Sequence, residues 1–166
     1  MSSAAATLAA QAFTYGRLTG TLSDGPADDE LVAALELTPV GSNIFPYLPD
    51  ADSPYPFVAM VRDGDVSTLA PIGFATVAWS VRYQVKTIDN QLDPVRIEYA
   101  AVLVDRLLDG KAATVALQSQ SGQDLGTYYV EASALGALPI DLPPDDAGNV
   151  YQQLGSTYQY LISRLP

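Results

Sequence analysis

Phe74-Ala-Thr-Val-Ala-Trp-Ser-Val-Arg-Tyr-Gln-Val-Lys-Thr-Ile88 is an unusually long alternating run. Val77, Trp79, Val81, Tyr83 and Val85 share one parity; Thr76, Ala78, Ser80, Arg82, Gln84 and Lys86 share the other. A period of two, with β-branched and aromatic residues on one side, predicts a strand with one buried face. At ~3.3 Å per residue such a strand runs roughly 45 Å. Trp79, on the apolar parity, is assigned to the core. The outward parity brings Arg82 and Lys86 to one face, about 13 Å apart, where two cations suit an acidic neighbour as well as they suit solvent.

Asp89-Asn-Gln-Leu-Asp-Pro94 ends the run and starts a helix. Asp93 can cap it, and Pro94 fits a first helical position whose N–H has no partner anyway. Ile97, Tyr99, Ala100, Ala101, Leu103, Val104, Leu107 and Leu108 form its apolar arc, with Glu98, Asp105 and Asp109 opposite, and Gly110 stops it. About 17 residues make ~25 Å of helix, able to fold back on the sheet.

Upstream, residues 4 to 22 read as a helix, with Ala5, Leu8, Ala12, Tyr15, Thr19 and Leu22 at three- and four-residue spacing. Ser23-Asp-Gly-Pro26 breaks it, and Asp28–Leu35 reads as a short helix with its acids in the first turn, where the helix dipole favours them. Residues 39 to 56 are irregular and proline-rich, with a short apolar piece at Asn43-Ile-Phe45. Tyr55–Arg62 reads as a strand, joined to the long one by a hairpin whose tip, Asp63 to Pro71, is longer than a tight turn needs. Downstream, Ala113–Gln120 and Thr127–Leu135 read as strands around a Gly122–Gly126 turn. Pro139 to Gly148 is a loop, and Val150–Ser163 is the last strand, with Leu154, Tyr158, Tyr160 and Ile162 on one parity and Tyr151 on the other. The expected fold is α+β: a single domain over residues 1–166, a largely antiparallel sheet with a long central strand, and helices packed on a face.

Composition narrows function. The chain is 48% hydrophobic and 16% charged, enough for a real core in 166 residues. It holds no cysteine and no histidine, which removes thiolate chemistry, the usual zinc ligands and the commonest acid–base side chain near neutral pH. Eight basic residues against nineteen acids, net charge −11, do not make the cationic track that phosphate binding needs. No stretch has the length and apolarity of a membrane span, and no membrane or cofactor is expected. Phosphate loops, nucleophile elbows and calcium loops are missing; Asp50-x-Asp52, Asp63-x-Asp65 and Asp145-Asp146 read as solvated loop acids. The chain is therefore expected not to be an enzyme.

The order of these pieces resembles the tail terminator (tail completion) proteins of long-tailed bacteriophages. The resemblance rests on the N-terminal helix, the acidic helix Asp28–Leu35, Ile-Phe-Pro-Tyr-Leu-Pro at 44–49 and Pro54-Tyr-Pro-Phe-Val58. It continues through Tyr83-Gln-Val-Lys-Thr-Ile88, Val104-Asp-Arg-Leu-Leu-Asp-Gly110 and Tyr158-Gln-Tyr160. It implies a homo-oligomeric ring, usually of six subunits, at the head-proximal end of the tail tube. Its partners would be the tube protein, the head–tail connector and the tape-measure protein, with DNA passing through unbound. It implies a place in the virion tail or neck, after assembly in the host cytoplasm. Under it, the interface candidates are Arg82 and Lys86, Asp63, Asp65 and Leu69 in the hairpin tip, Asp145 and Asp146 in the proline-rich loop, and Tyr151. A head-completion or adaptor protein of the neck, a small-ligand-binding module and an enzyme working without histidine or cysteine are the alternatives.

Overall fold

The computed structural model describes residues 3–22, 43–47, 56–69, 78–89, 94–138 and 152–166. Within them lie two helices, α1 (Ser3–Leu18) and α2 (Pro94–Leu108). The strands are β1 (Ile44–Phe45), β2 (Phe57–Arg62), β3 (Ser67–Leu69), β4 (Ala78–Asp89), β5 (Lys111–Gln118), β6 (Asp124–Ala137) and β7 (Gln152–Arg164). One sheet runs β1-β2-β4-β7-β6-β5, with β3 also on β4. Its described pairs are antiparallel except β1 with β2. The fold is α+β, with a mostly antiparallel sheet. The expected helix Asp28–Leu35, the loop Pro139 to Gly148, residues 74–77 of the long strand, and Asp145, Asp146 and Tyr151 lie outside the described residues.

The apolar parity of the central strand is buried as its alternation dictates. Trp79, Val81, Tyr83 and Val85 are buried, and β4 pairs along its whole described length with β7, from Ala78↔Ser163 to Asp89↔Gln152. The ladder sets Val81 beside Tyr160 and Tyr83 beside Tyr158, so aromatic rings of neighbouring strands meet edge to face on the core side. Near its end the two strands come close. A Cβ on Gly155 would stand 2.0 Å from the Val85 carbonyl oxygen, so only glycine fits there.

Both helices cover this face. α2 starts at Pro94 and closes at Leu108, and Gly110 takes the left-handed conformation (φ 64°) that ends helices cheaply. Ile97, Ala100, Leu103, Val104 and Leu108 are buried as expected. Two members of the expected arcs change places. Tyr99 is exposed, and Asp105 turns toward the sheet, where its carboxylate accepts hydrogen bonds from the Tyr158 and Ser156 hydroxyls. The cause is the sheet: β7 presents two hydroxyls on its core parity, and buried donors require an acceptor.

The face of α1 also differs from the spacing-based expectation. Ala6, Ala9, Ala10, Phe13, Thr14 and Leu18 are buried, while Leu8 and Tyr15 are exposed. The alanine stripe lets the helix backbone approach the sheet, and Phe13 fills the space against the Tyr160 ring. Arg17 ties the helices together, its Nε–H donating to the Leu107 carbonyl at 3.1 Å.

Two further corrections concern the β4 neighbourhood. The expected hairpin tip is partly strand: the Asp63 N–H donates to the Arg82 carbonyl at 2.9 Å, and Ser67–Leu69 then pairs with Ser80–Ala78 along the same side of β4 that β2 occupies. The face opposite the helices is also not uniformly solvated. Phe57, Ala59 and Ile88 form a second buried cluster there with Phe45, and Ser80 is buried, accepting from the Gln159 amide at 2.8 Å.

Candidate interaction surfaces

The sheet curls around α1 so that residues from both of its outer strands reach one cleft. α1 contributes Leu8 and Tyr15, β1 contributes Phe45, and the β5–β6 hairpin contributes Leu117 and Leu125, around a space of about 400 Å³. Leu8 and Tyr15 are 46% and 44% exposed, so this is an open apolar groove and not a sealed core.

At Gln11, Pro46 and Met60 the groove continues into a second section of about 280 Å³, where Thr7, Tyr47, Arg62 and Tyr83 add polar groups to a mainly apolar lining. Arg62 lies cross-strand from Tyr83. The Tyr83 hydroxyl stands beside Thr7 and Gln11, yet it has no hydrogen-bond partner among the described residues. Burial raises its pKa, against the opposing pull of the Arg62 charge, so it remains a proton donor. Among the described residues no carboxylate lines either section. Asp65 stands outside it, fully exposed, 3.8 Å from the Arg62 guanidinium.

A second apolar surface lies on α2. Val95, Tyr99 and Val102, at i, i+4 and i+7, are 71%, 45% and 63% exposed, and so make a stripe on the side of the helix away from the sheet. Glu98 and Arg106 flank it, both exposed.

The candidate residues read from sequence stand elsewhere. Arg82 is exposed on the face opposite the helices, cross-strand from Gln159; Lys86, on the same face, is half-buried between Ala59 and Gly155. Asp63 adjoins Arg82 through the backbone bond, and Leu69 is exposed on β3 opposite Ala78. The structure thus gathers Asp63, Arg82 and Lys86 around one stretch of β4, and leaves Asp65 beside Arg62. The groove and the α2 stripe contain none of these candidates.

These surfaces present apolar side chains and a few fixed donors, which suits contact with another macromolecule. Among the described residues no three or more His, Cys, Asp or Glu side chains gather where a metal ion could be held, and neither α1 nor α2 is long and apolar enough to cross a membrane.

No family model matches the chain, and no curated protein matches it. Among solved structures it is similar to a chain of the virion of a native gene transfer agent (GTA) particle. The identity is 15% and the TM-score 0.59, and the superposition covers 93% of this chain and 95% of that one. The likeness is one of fold, and it runs nearly end to end through both chains.

Proposed function

We propose that this chain is a structural protein of a phage-like virion, and that within the particle it forms the ring closing the head-proximal end of the tail tube. The observation that carries the first part is the fold it shares, over almost its whole length, with a chain of a GTA virion. The second part rests on the sequence resemblance to tail terminators. Two apolar surfaces on separate elements, the α1 groove and the α2 stripe, support it, because a ring subunit needs one surface for each neighbour. In this role the ring stops addition of tube subunits and offers its far side to the head connector. The acidic chain suits a conduit, because a surface carrying net charge −11 repels the DNA that passes it.

Deletion of the gene tests the role. Headless tubes, many longer than normal, are expected. Normal-length tails already joined to heads would contradict it, and heads leaking DNA beside free tails of correct length would assign the chain to the head side of the neck.

A further inference from the structure

The groove and the stripe belong to one chain, and their chemistries match. The groove is apolar along most of its length and ends at Arg62, with the Tyr83 hydroxyl beneath it and the Gln11 amide donating to the Pro46 carbonyl at 3.3 Å. Its fitting occupant is an apolar ridge with one acceptor at its flank. In a chain with nineteen acids and eight bases, a groove that holds an arginine and, among the described residues, no carboxylate is set apart from most of the surface.

The α2 stripe has the required form. Val95 to Val102 covers about 10 Å of helix, and Glu98 lies beside it, one turn before Val102. Outside the groove the Arg62 Nε–H donates to the Gly64 carbonyl at 3.0 Å, while its Nη2 meets only the exposed Asp65 at 3.8 Å; exposed pairs of this kind are worth little, so that end of the guanidinium can be recruited by a better-placed carboxylate.

We propose that the Val95–Tyr99–Val102 stripe of one copy seats in the α1 groove of the next copy, with Glu98 reaching the Arg62 end. This rests on the ring reading above and names its subunit contact. The contact is head-to-tail, because stripe and groove are different surfaces, and such contacts close into a ring when the rotation per copy divides a full turn. The Arg17–Leu107 hydrogen bond between α1 and α2 holds the two surfaces in a fixed relation, which sets that rotation.

The absence of cysteine makes the test clean. Full-length variants carry Val102→Cys on the stripe, or Leu8→Cys or Leu125→Cys in the groove, each checked by thermal melting. A short bismaleimide should join the stripe variant to either groove variant about tenfold more efficiently than it joins like to like, since a head-to-tail contact offers like variants no matching pair. Adding Glu98→Arg to the stripe copy, or Arg62→Glu to the groove copy, should cut the mixed product about tenfold, and adding both should restore it. Like-to-like crosslinking of Val102→Cys equal to the mixed reaction, or no product with either groove variant, would overturn the contact. Crosslinking that succeeds while deletion leaves tails normal rejects the place on the tail and keeps the contact; failed crosslinking with deletion-dependent tails rejects the contact alone.

Discussion

Thr14 on α1 and Tyr160 on β7 share one hydrogen bond, 2.7 Å between hydroxyl oxygens, and neither residue has any surface exposed. It is the polar pin between the first helix and the strand at the centre of the sheet. Thr14→Val leaves the Tyr160 hydroxyl buried without its partner and should cost about 1–3 kcal/mol. Adding Tyr160→Phe removes the stranded group, so the double variant should be more stable than the two single losses summed. A double-mutant cycle by chemical denaturation checks this; simple additivity would mean that the hydroxyls find other partners.

Asp105 makes stability depend on pH. Burial raises its pKa; the Ser156 hydroxyl opposes this, and the Asp109 charge adds to it. The folded chain therefore holds this proton more tightly than the unfolded chain. Its contribution is full below the ordinary aspartate value of 3.8 and declines as pH rises through the raised folded value, with no further loss above it. Asp105→Asn keeps an acceptor for Tyr158 and carries no charge. It should match or exceed the parent at neutral pH and lose that advantage in acid, as read by melting across pH. A variant weaker at neutral pH than in acid, relative to the parent, would reverse the sign.

Gly155→Ala should be among the most damaging small changes. Its Cβ would meet the Val85 carbonyl at 2.0 Å, and the obstacle is backbone within the longest ladder of the sheet. Overpacking of this kind costs about 1–3 kcal/mol or more. Gly136→Ala on β6, with nothing within 4 Å of the added atom, should stay within about 0.5 kcal/mol. Equal melting temperatures for the two would show that β7 can move away from β4.

How far the fold is legible in the sequence depends on the distance over which each feature is decided. The parity of Trp79, Val81, Tyr83 and Val85 is local, and so are the Pro94 and Gly110 signals that bound α2; all are legible. The buried side of α1 is not, because the helix is apolar nearly all round. The choice between the Ala6–Ala10–Phe13 face and the Leu8–Tyr15 face is made by the space over β7. Asp105 reads as solvent-facing because its hydroxyl partners, Ser156 and Tyr158, are 51 and 53 residues away. β1 is two residues long, too short to show a period. The groove joins Leu8, Phe45 and the Leu117–Leu125 hairpin from three distant segments, so no spacing announces it.

Arg82→Glu with Lys86→Glu should spare the fold and impair assembly. Arg82 is exposed and Lys86 half-buried on the face opposite the helices, away from the Val81 and Tyr83 core. Exposed ion pairs contribute about 0–1 kcal/mol, whereas reversed charges across a partner surface repel. Melting should change little while tail assembly fails to be rescued. Full rescue would show that neither Arg82 nor Lys86 meets a partner.

The reading as a ring is tested most directly by a reconstruction of the particle neck with this chain located in the density. A closed ring between the tail tube and the head connector, six copies by the resemblance and each with its α2 stripe against the next copy's α1, is the predicted result. A single copy of the chain, or its absence from the tail, would contradict it.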